Sequence, residues 1–285
     1  MRGDRELNLY RLLLKDYKMT MNKCAVLSVL VVVSTAITVL PAFGQNEGAH
    51  GYLAVGAGAL PEYEGADSQQ VIPFLAGRAQ WGQRYIAIEG VSARANVLAS
   101  SAWEAGPLAS ITFGRDADIE SAAVARLPSL DDSVELGAFV AYSWSDVARD
   151  GDTLRLETRA IGDVSDVYGG WQSSISAGYA TPIGERVRLS LDFSTTLVSD
   201  DYAEAYFSVA APGAAASGLP TYRAEGGLKD VGVSVGGSYA FNGRWSLNGF
   251  AGYRRLLGDA ADSPIVDREG SPDQFSAGLG VGFSF

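Results

Sequence analysis

The residue types that could carry chemistry are few. His50 is the single histidine of the 285 residues, and no serine or carboxylate stands at a spacing that suggests a nucleophilic triad. Asp131-Asp132 and Asp200-Asp201 are the densest carboxylate pairs, but a calcium cage needs several converging oxygens and these pairs read as solvated loop charge. Glycines 56 and 58, and 278, 280 and 282, lack the strand-then-helix setting of a dinucleotide loop and read as strand positions facing a crowded interior. Arg155, Glu157, Arg159, Arg186, Arg188 and Asp192 fall on one face of alternating segments. They could line an aqueous path, or pair with one another and block it. No catalytic residue, cofactor or metal ligand is expected.

The order of the first 44 residues is that of an export signal. Lys18 and Lys23 precede an uncharged run from Ala25 to Leu40, and Pro41, Ala42, Phe43 and Gly44 follow with small residues at the cleavage positions. Cleavage is expected before Gln45, with residues 1–44 as signal and Met19 or Met21 as the true start. Cys24 precedes the apolar run, so it is no lipoprotein cysteine, and the mature chain has no thiol for metal or redox work. Removing residues 1–44 takes away six basic and three acidic residues and deepens the net charge from -11 to -14. So acidic a chain is ill suited to nucleic acid, whose phosphates demand a basic face.

The elements that would position these residues are strands. Phe275, Ala277, Leu279, Val281, Phe283 and Phe285 alternate with small or polar residues, as do Val231, Val233, Val235 and Tyr239, and Val187, Leu189, Leu191 and Phe193. Asn242-Gly243 is the strongest hairpin signal. Eleven windows appear: 51–60, 70–80, 84–98, 102–114, 134–144, 154–158, 171–181, 186–197, 231–241, 245–253 and 275–285. Most run to about 10 to 13 residues, the length a tilted strand needs to cross a bilayer rather than a sandwich. Aromatics gather at their ends, as interfacial girdles require. Residues 45–285 are therefore expected to form an all-β, antiparallel transmembrane β-barrel in the outer membrane of a didermal bacterium. An even strand count is required, and Ala203 to Ala210 is the candidate for a short twelfth strand; ten strands is the alternative, if the 84–98 window does not span. The long polar segments 115–132, 199–229 and 259–272 read as loops. A barrel of ~10 to 12 strands can be filled by its own side chains, so pore function does not follow from the architecture.

The stretch Pro61-Glu62-Tyr63-Glu64-Gly65-Ala66-Asp67, with Val71-Ile72-Pro73-Phe74 behind it, resembles the P-x-Y-x-G-[SA]-[DE] and [VL]-x-P signature of the MipA/OmpV family of outer-membrane proteins. Tyr202 to Val209, Ser217 to Val231 and Arg254 to Val266 resemble further family segments in the same order. The resemblance implies a non-enzymatic barrel. One branch is a scaffold linking a lytic murein transglycosylase to a murein synthase, and another is porin-like or adhesion-related. Separately, Phe285 at the end of an amphipathic strand resembles the C-terminal signature by which the barrel-assembly machinery recognises outer-membrane proteins. Pro61, Tyr63, Gly65, Asp67 and Pro73 carry the family signature, with Pro61 fixing a turn, Gly65 permitting a positive φ and Tyr63 anchoring the loop to the barrel rim. Their expected role is structural first and partner-binding second. Partners are outer-membrane lipid and, through the periplasmic turns and rim, the two murein enzymes.

Overall fold

Alternation of period two gives each strand one apolar and one small or polar face. The arrangement that suits both faces and pairs most of the backbone within a bilayer is a closed sheet. The computed structural model describes residues 50–285 and shows that closure; the export signal, its cleavage point and the start codon lie outside the described residues. Twelve antiparallel strands follow one another around the wall, and β1 (His50–Pro61) closes on β12 (Asp273–Ser284) from Tyr52↔Ser284 to Ala59↔Ala277. Between them run β2 (Gln69–Trp81), β3 (Arg84–Glu89), β4 (Ser92–Asn96), β5 (Trp103–Thr112), β6 (Ser133–Ser145) and β7 (Thr153–Asp163). The wall continues through β8 (Trp171–Ile183), β9 (Val187–Val198), β10 (Gly227–Ala240) and β11 (Trp245–Leu256). Among the described residues no helix is long and apolar enough to cross a membrane.

The strand count of twelve holds, but by a different route from the one the sequence suggested. The 84–98 window is two short strands, turning at Gly90, whose φ of 62° suits glycine. The 203–210 segment is not a strand. It lies mostly in helix α1 (Asp200–Phe207), which Ser199 caps by accepting a bond from Tyr202 N and whose first turn carries Asp200 and Asp201. Tyr202, Ala203, Tyr206 and Phe207 bury one face of it. Three further short helices lie in the loops: α2 (Ala211–Ser217), α3 (Gly258–Asp262) and α4 (Pro264–Asp267).

Leu53, Val55, Leu136, Ile175, Leu191, Val235 and Leu279 lie exposed on the outside of the wall, where hydrocarbon covers them. Both ends of the described chain lie at one end of the barrel, together with the short turns at 82–83, 97–102, 146–152, 184–186 and 241–244. Short turns face the periplasm and long loops the exterior. An aromatic girdle marks the periplasmic end: Trp103, Tyr142 and Trp144 stack edge to face at 4.7 and 4.6 Å, and Trp245 lies 4.9 Å from Phe283. Tyr253 and Phe275, 5.2 Å apart, mark the outer end. Asn242 accepts the N–H groups of Arg244 and Trp245 and so closes the β10–β11 hairpin with its side chain.

The glycines at 56, 278 and 280 face inward as expected. A Cβ at Gly56 would meet Phe74 Cζ at 2.6 Å, and one at Gly278 would collide with the Phe250 ring. Phe74 and Phe250 reach into the lumen and lie edge to face at 6.3 Å, so the glycine stripe makes room for two aromatic fillers.

Candidate functional site

The signature loop, residues 62–68, stands at the exterior end and is built into the barrel mouth. Pro61 ends β1 opposite Gln69. Tyr63 is buried and donates its hydroxyl to the Glu269 carbonyl at 3.1 Å; burial, then the nearby Asp67, Glu269 and Glu62 carboxylates, push its ionisation up to about 12. Gly65 has a φ of 98°, donates its N–H to Gln274 Oε1 at 3.1 Å and accepts from Ser271 N at 2.9 Å. A Cβ there would collide with Val266 Cγ2. The structure thus brings Tyr63 and Gly65 together against the 257–272 loop, with Pro61 at the end of β1 beside them in sequence. Asp67 is exposed at the loop tip, and Pro73 sits apart on the lipid face of β2.

The most connected residue of this loop is one the sequence reading passed over. Glu64 Oε1 accepts from Lys229 Nζ at 2.5 Å and its Oε2 accepts from the Tyr202 hydroxyl at 2.6 Å. Lys229 Nζ also donates to the Tyr202 hydroxyl at 3.1 Å, and Arg254 stands 3.7 Å from Glu64. Burial alone would raise the Glu64 carboxyl, but the Lys229 ammonium and then the Arg254 guanidinium outweigh it and hold it below the ordinary carboxylate range. Lys229 is the only lysine of residues 45–285. It reaches the lumen because the β9–β10 register slips between Leu228 and Asp230; that bulge puts Lys229 and Asp230 side by side, both buried. The sequence signal was there, in a lone lysine where the β10 alternation breaks, but its partner lies on another loop.

Above this cluster the exterior loops fold inward into a small core. Tyr202 and Tyr206 stack at 4.4 Å, Tyr168 lies edge-on to Tyr202 at 5.0 Å, and Phe207, Leu256 and Val266 pack with them. A second cluster joins Tyr63, Val124, Leu127, Val209, Leu219 and Ile265. Each such side chain contributes roughly 1.5–3 kcal/mol when fully buried, so the loops form a folded plug. Arg115 fastens it by donating to the carbonyls of Tyr206 and Ala205 at the end of α1. Glu135, fully buried on β6, accepts from the Tyr168 hydroxyl, Gln172 and Thr112.

Lower in the lumen two arginines pair with three carboxylates. Arg94 reaches Glu89 at 2.6 Å and Glu157 at 2.9 Å, and Arg155 reaches Glu157 and Glu104 at 2.6 Å each. Tyr85 donates to Glu104 at 2.7 Å, Arg78 lies 3.5 Å over the Tyr85 ring, and Arg159 donates to Ser174. Asp192 is buried on the inner face of β9. Arg188 donates to the Gly151 carbonyl near the periplasmic rim, while Arg186 lies exposed in the 184–186 turn, so it is no lumen residue. Between plug and ion network remains a cavity of about 140 Å³, with Ser174, Ser194, Thr196, Ser234 and Ser276 in its wall.

His50 begins β1 opposite Gln80 at the periplasmic rim. Asp132 accepts from Gly114 N and Asp200 from Gly226 N, so both carboxylate pairs serve loop structure. Among the described residues no group of three or more His, Cys, Asp or Glu is placed to hold a metal ion. Phe285 is exposed and exchanges two 2.9 Å backbone bonds with Gly51.

YiaT of Escherichia coli K12, whose name provisionally assigns it to the outer membrane, is 26% identical over 130 residues, covering 46% of this chain and 51% of YiaT; the O157:H7 protein matches equally. The chain thus spans about half the length of the curated relatives it matches. Among solved structures, the COG4313 outer membrane channel of Pseudomonas putida F1 aligns with a TM-score of 0.43 at 13% identity over 85% of this chain and 97% of that one. The NanC porin aligns with a TM-score of 0.45 at 10% identity over 81% and 98%. The model of the family described as MltA-interacting protein MipA matches residues 53–285, and the chain belongs to that family of outer-membrane β-barrels.

Proposed function

We propose that this protein is a sealed, non-enzymatic outer-membrane barrel that anchors murein-remodelling enzymes, a lytic transglycosylase and a murein synthase, at its periplasmic turns. The observation that carries the reading is the packed core that the exterior loops form in the barrel mouth. A barrel whose exterior mouth is filled by a packed plug, and whose Arg94 and Arg155 are spent on Glu89, Glu104 and Glu157, offers a rigid membrane post rather than a wide pore. The family description, which names a protein by its interaction with MltA, supports the choice of partner. The periplasmic turns suit docking because at least one is held rigid. Asp152 accepts the N–H groups of Val147, Ala148 and Arg149 and the Tyr179 hydroxyl, which hold its carboxyl below the ordinary range despite its burial and leave Arg149 and Asp150 pointing outward. The C-terminal strand ending in Phe285 would be the segment read by the barrel-assembly machinery.

The test is a photoreactive residue placed at Arg149 or Arg244 in the turns, with Asp116 in an exterior loop as control. Capture of a transglycosylase or a murein synthase from the turns but not from Asp116 is the expected result; capture of neither enzyme from any turn overturns the reading. A gated small-solute channel is the second reading, favoured by the hydroxyl-lined cavity beneath the plug. An adhesion role would instead be sought in the acidic exterior loops.

A further inference from the structure

The wall between β2 and β5 is incomplete in its outer half. The β2–β3 ladder runs only from Ala76↔Glu89 to Trp81↔Arg84, and Gly90 N donating to the Leu75 carbonyl marks its upper end. Residues 69–75 therefore have β1 on one side and no strand on the other. On the far flank, β4 meets β5 only at Ala93↔Ala109 and Arg94↔Leu108, and no ladder joins β2 to β5 above the hairpin.

Both flanks are chemically blunted. Because the Leu75 carbonyl points toward the hairpin, period two turns the backbone of Val71 and Pro73 the same way, and Pro73 has no N–H to offer. Ala105 O accepts from Val97 N, so Pro107 likewise faces β4 without a donor. Prolines on both edges disfavour an added strand as occupant.

Depth supplies the alternative. Ten residues of β2 separate Trp81, at the periplasmic girdle, from Val71; at ~3.3 Å per residue and ~40° of tilt this is about 25 Å of height, the apolar band itself. The open edge, with Val71 at 74% exposure and Pro73 and Leu75 beside it, thus lies at the level of the outer leaflet. Behind its upper end is a cleft of about 490 Å³ between Gln70 and Phe113, with Ile119 in its wall. Glu62 and Phe113 belong to this cleft and also to the 140 Å³ lumen cavity. The cleft is rimmed by Glu62 and by Asp116, Asp118, Asp131 and Asp132, while its one cation, Arg115, is committed to the carbonyls of α1.

We infer that this gap is a binding cleft for an amphiphile with one apolar chain and a cationic head. The chain enters from the outer leaflet beside Val71 and Leu75, and the head rests at the acidic rim. Apolar contact at bilayer depth selects the tail, and the excess of carboxylates selects the sign of the head.

The absence of cysteine from residues 45–285 permits single labels. Bimane would be attached at Ile119→Cys in the cleft and, as control, at Leu191→Cys on the complete wall, in phosphatidylcholine nanodiscs. The quencher is a dodecyl-dimethylammonium nitroxide, compared with the tail-less trimethylammonium nitroxide and with anionic doxyl-stearate. The tailed cation should quench Ile119→Cys at concentrations about tenfold below those needed at Leu191→Cys, a difference of about 1.4 kcal/mol. The other two probes should show no such preference, and Gln70→Trp, which narrows the cleft, should abolish it while the barrel remains heat-modifiable. Equal quenching at both positions would mean simple partitioning and overturn the inference, as would the same preference from the tail-less cation or from doxyl-stearate, or a preference untouched by Gln70→Trp.

Discussion

Glu64 and Lys229, 165 positions apart in the chain, meet at 2.5 Å inside the barrel mouth and tie the signature loop to the β10 bulge beneath the plug. Removing one member of a buried pair strands the other, at a cost of about 3–5 kcal/mol. Lys229→Met or Glu64→Gln should therefore loosen the exterior loops while the wall stays folded. Trypsin should then cut at Arg126, Arg223 or Arg268 in protein that still shows a heat-dependent gel shift, and the double variant should recover much of the lost resistance. Loops as resistant in the single variants as in the parent would mean that the pair does not hold the plug.

Acid should release the same latch. Burial favours the neutral form of Glu64, but Lys229 and Arg254 favour the carboxylate more, and the net shift is below the ordinary 4.5. For a carboxyl depressed on folding, the stabilisation is complete above the unfolded value and is lost as pH falls through the folded one. Amide exchange across residues 200–217, corrected for its intrinsic pH dependence, should thus be flat from neutral pH to about 4.5 and rise below it. Glu64→Gln should abolish that acid-dependent rise.

Gly65 is held by both conformation and space. With φ at 98° and Val266 Cγ2 where a methyl would go, Gly65→Ala should cost about 1–3 kcal/mol for the backbone and a similar amount for the overlap. Adding Val266→Ala should return only the steric part, seen as partial recovery of trypsin resistance in the loops. Full recovery would show that the positive φ carries no strain.

In the lumen, one carboxylate oxygen of Glu157 serves both Arg94 and Arg155. Glu157→Gln leaves the two guanidinium groups with less compensation, and a loss of about 1.5–3 kcal/mol is expected from weakened charge-assisted bonds. Urea titration of the heat-modifiable fraction should show the earlier midpoint, and Arg94→Met in that background should restore part of it.

Much of the wall was legible because lipid and lumen impose opposite demands on alternate residues, which mark strands such as β9, β10 and β12 plainly. Two misreadings have physical causes. Alternation continues on both sides of Gly90, so a hairpin of two short strands read as one window. Ala203 to Ala210 reads as apolar enough for a strand, and the Ser199-Asp200-Asp201 cap that starts a helix was not weighed against it. In the candidate site, Tyr63 and Gly65 were recognisable because a buried aromatic and a positive φ are local demands. Glu64 was not, because its meaning depends on Lys229 and Tyr202, which closure of the barrel brings to it from distant segments.

Closure of the lumen by the barrel's own exterior loops is the central claim, and planar-bilayer recording of purified, refolded protein tests it most directly. The parent barrel should give no stepwise conductance at neutral pH, and Lys229→Met should give intermittent steps as the plug loosens. Regular, stable conductance steps from the parent protein would contradict the claim and favour the channel reading.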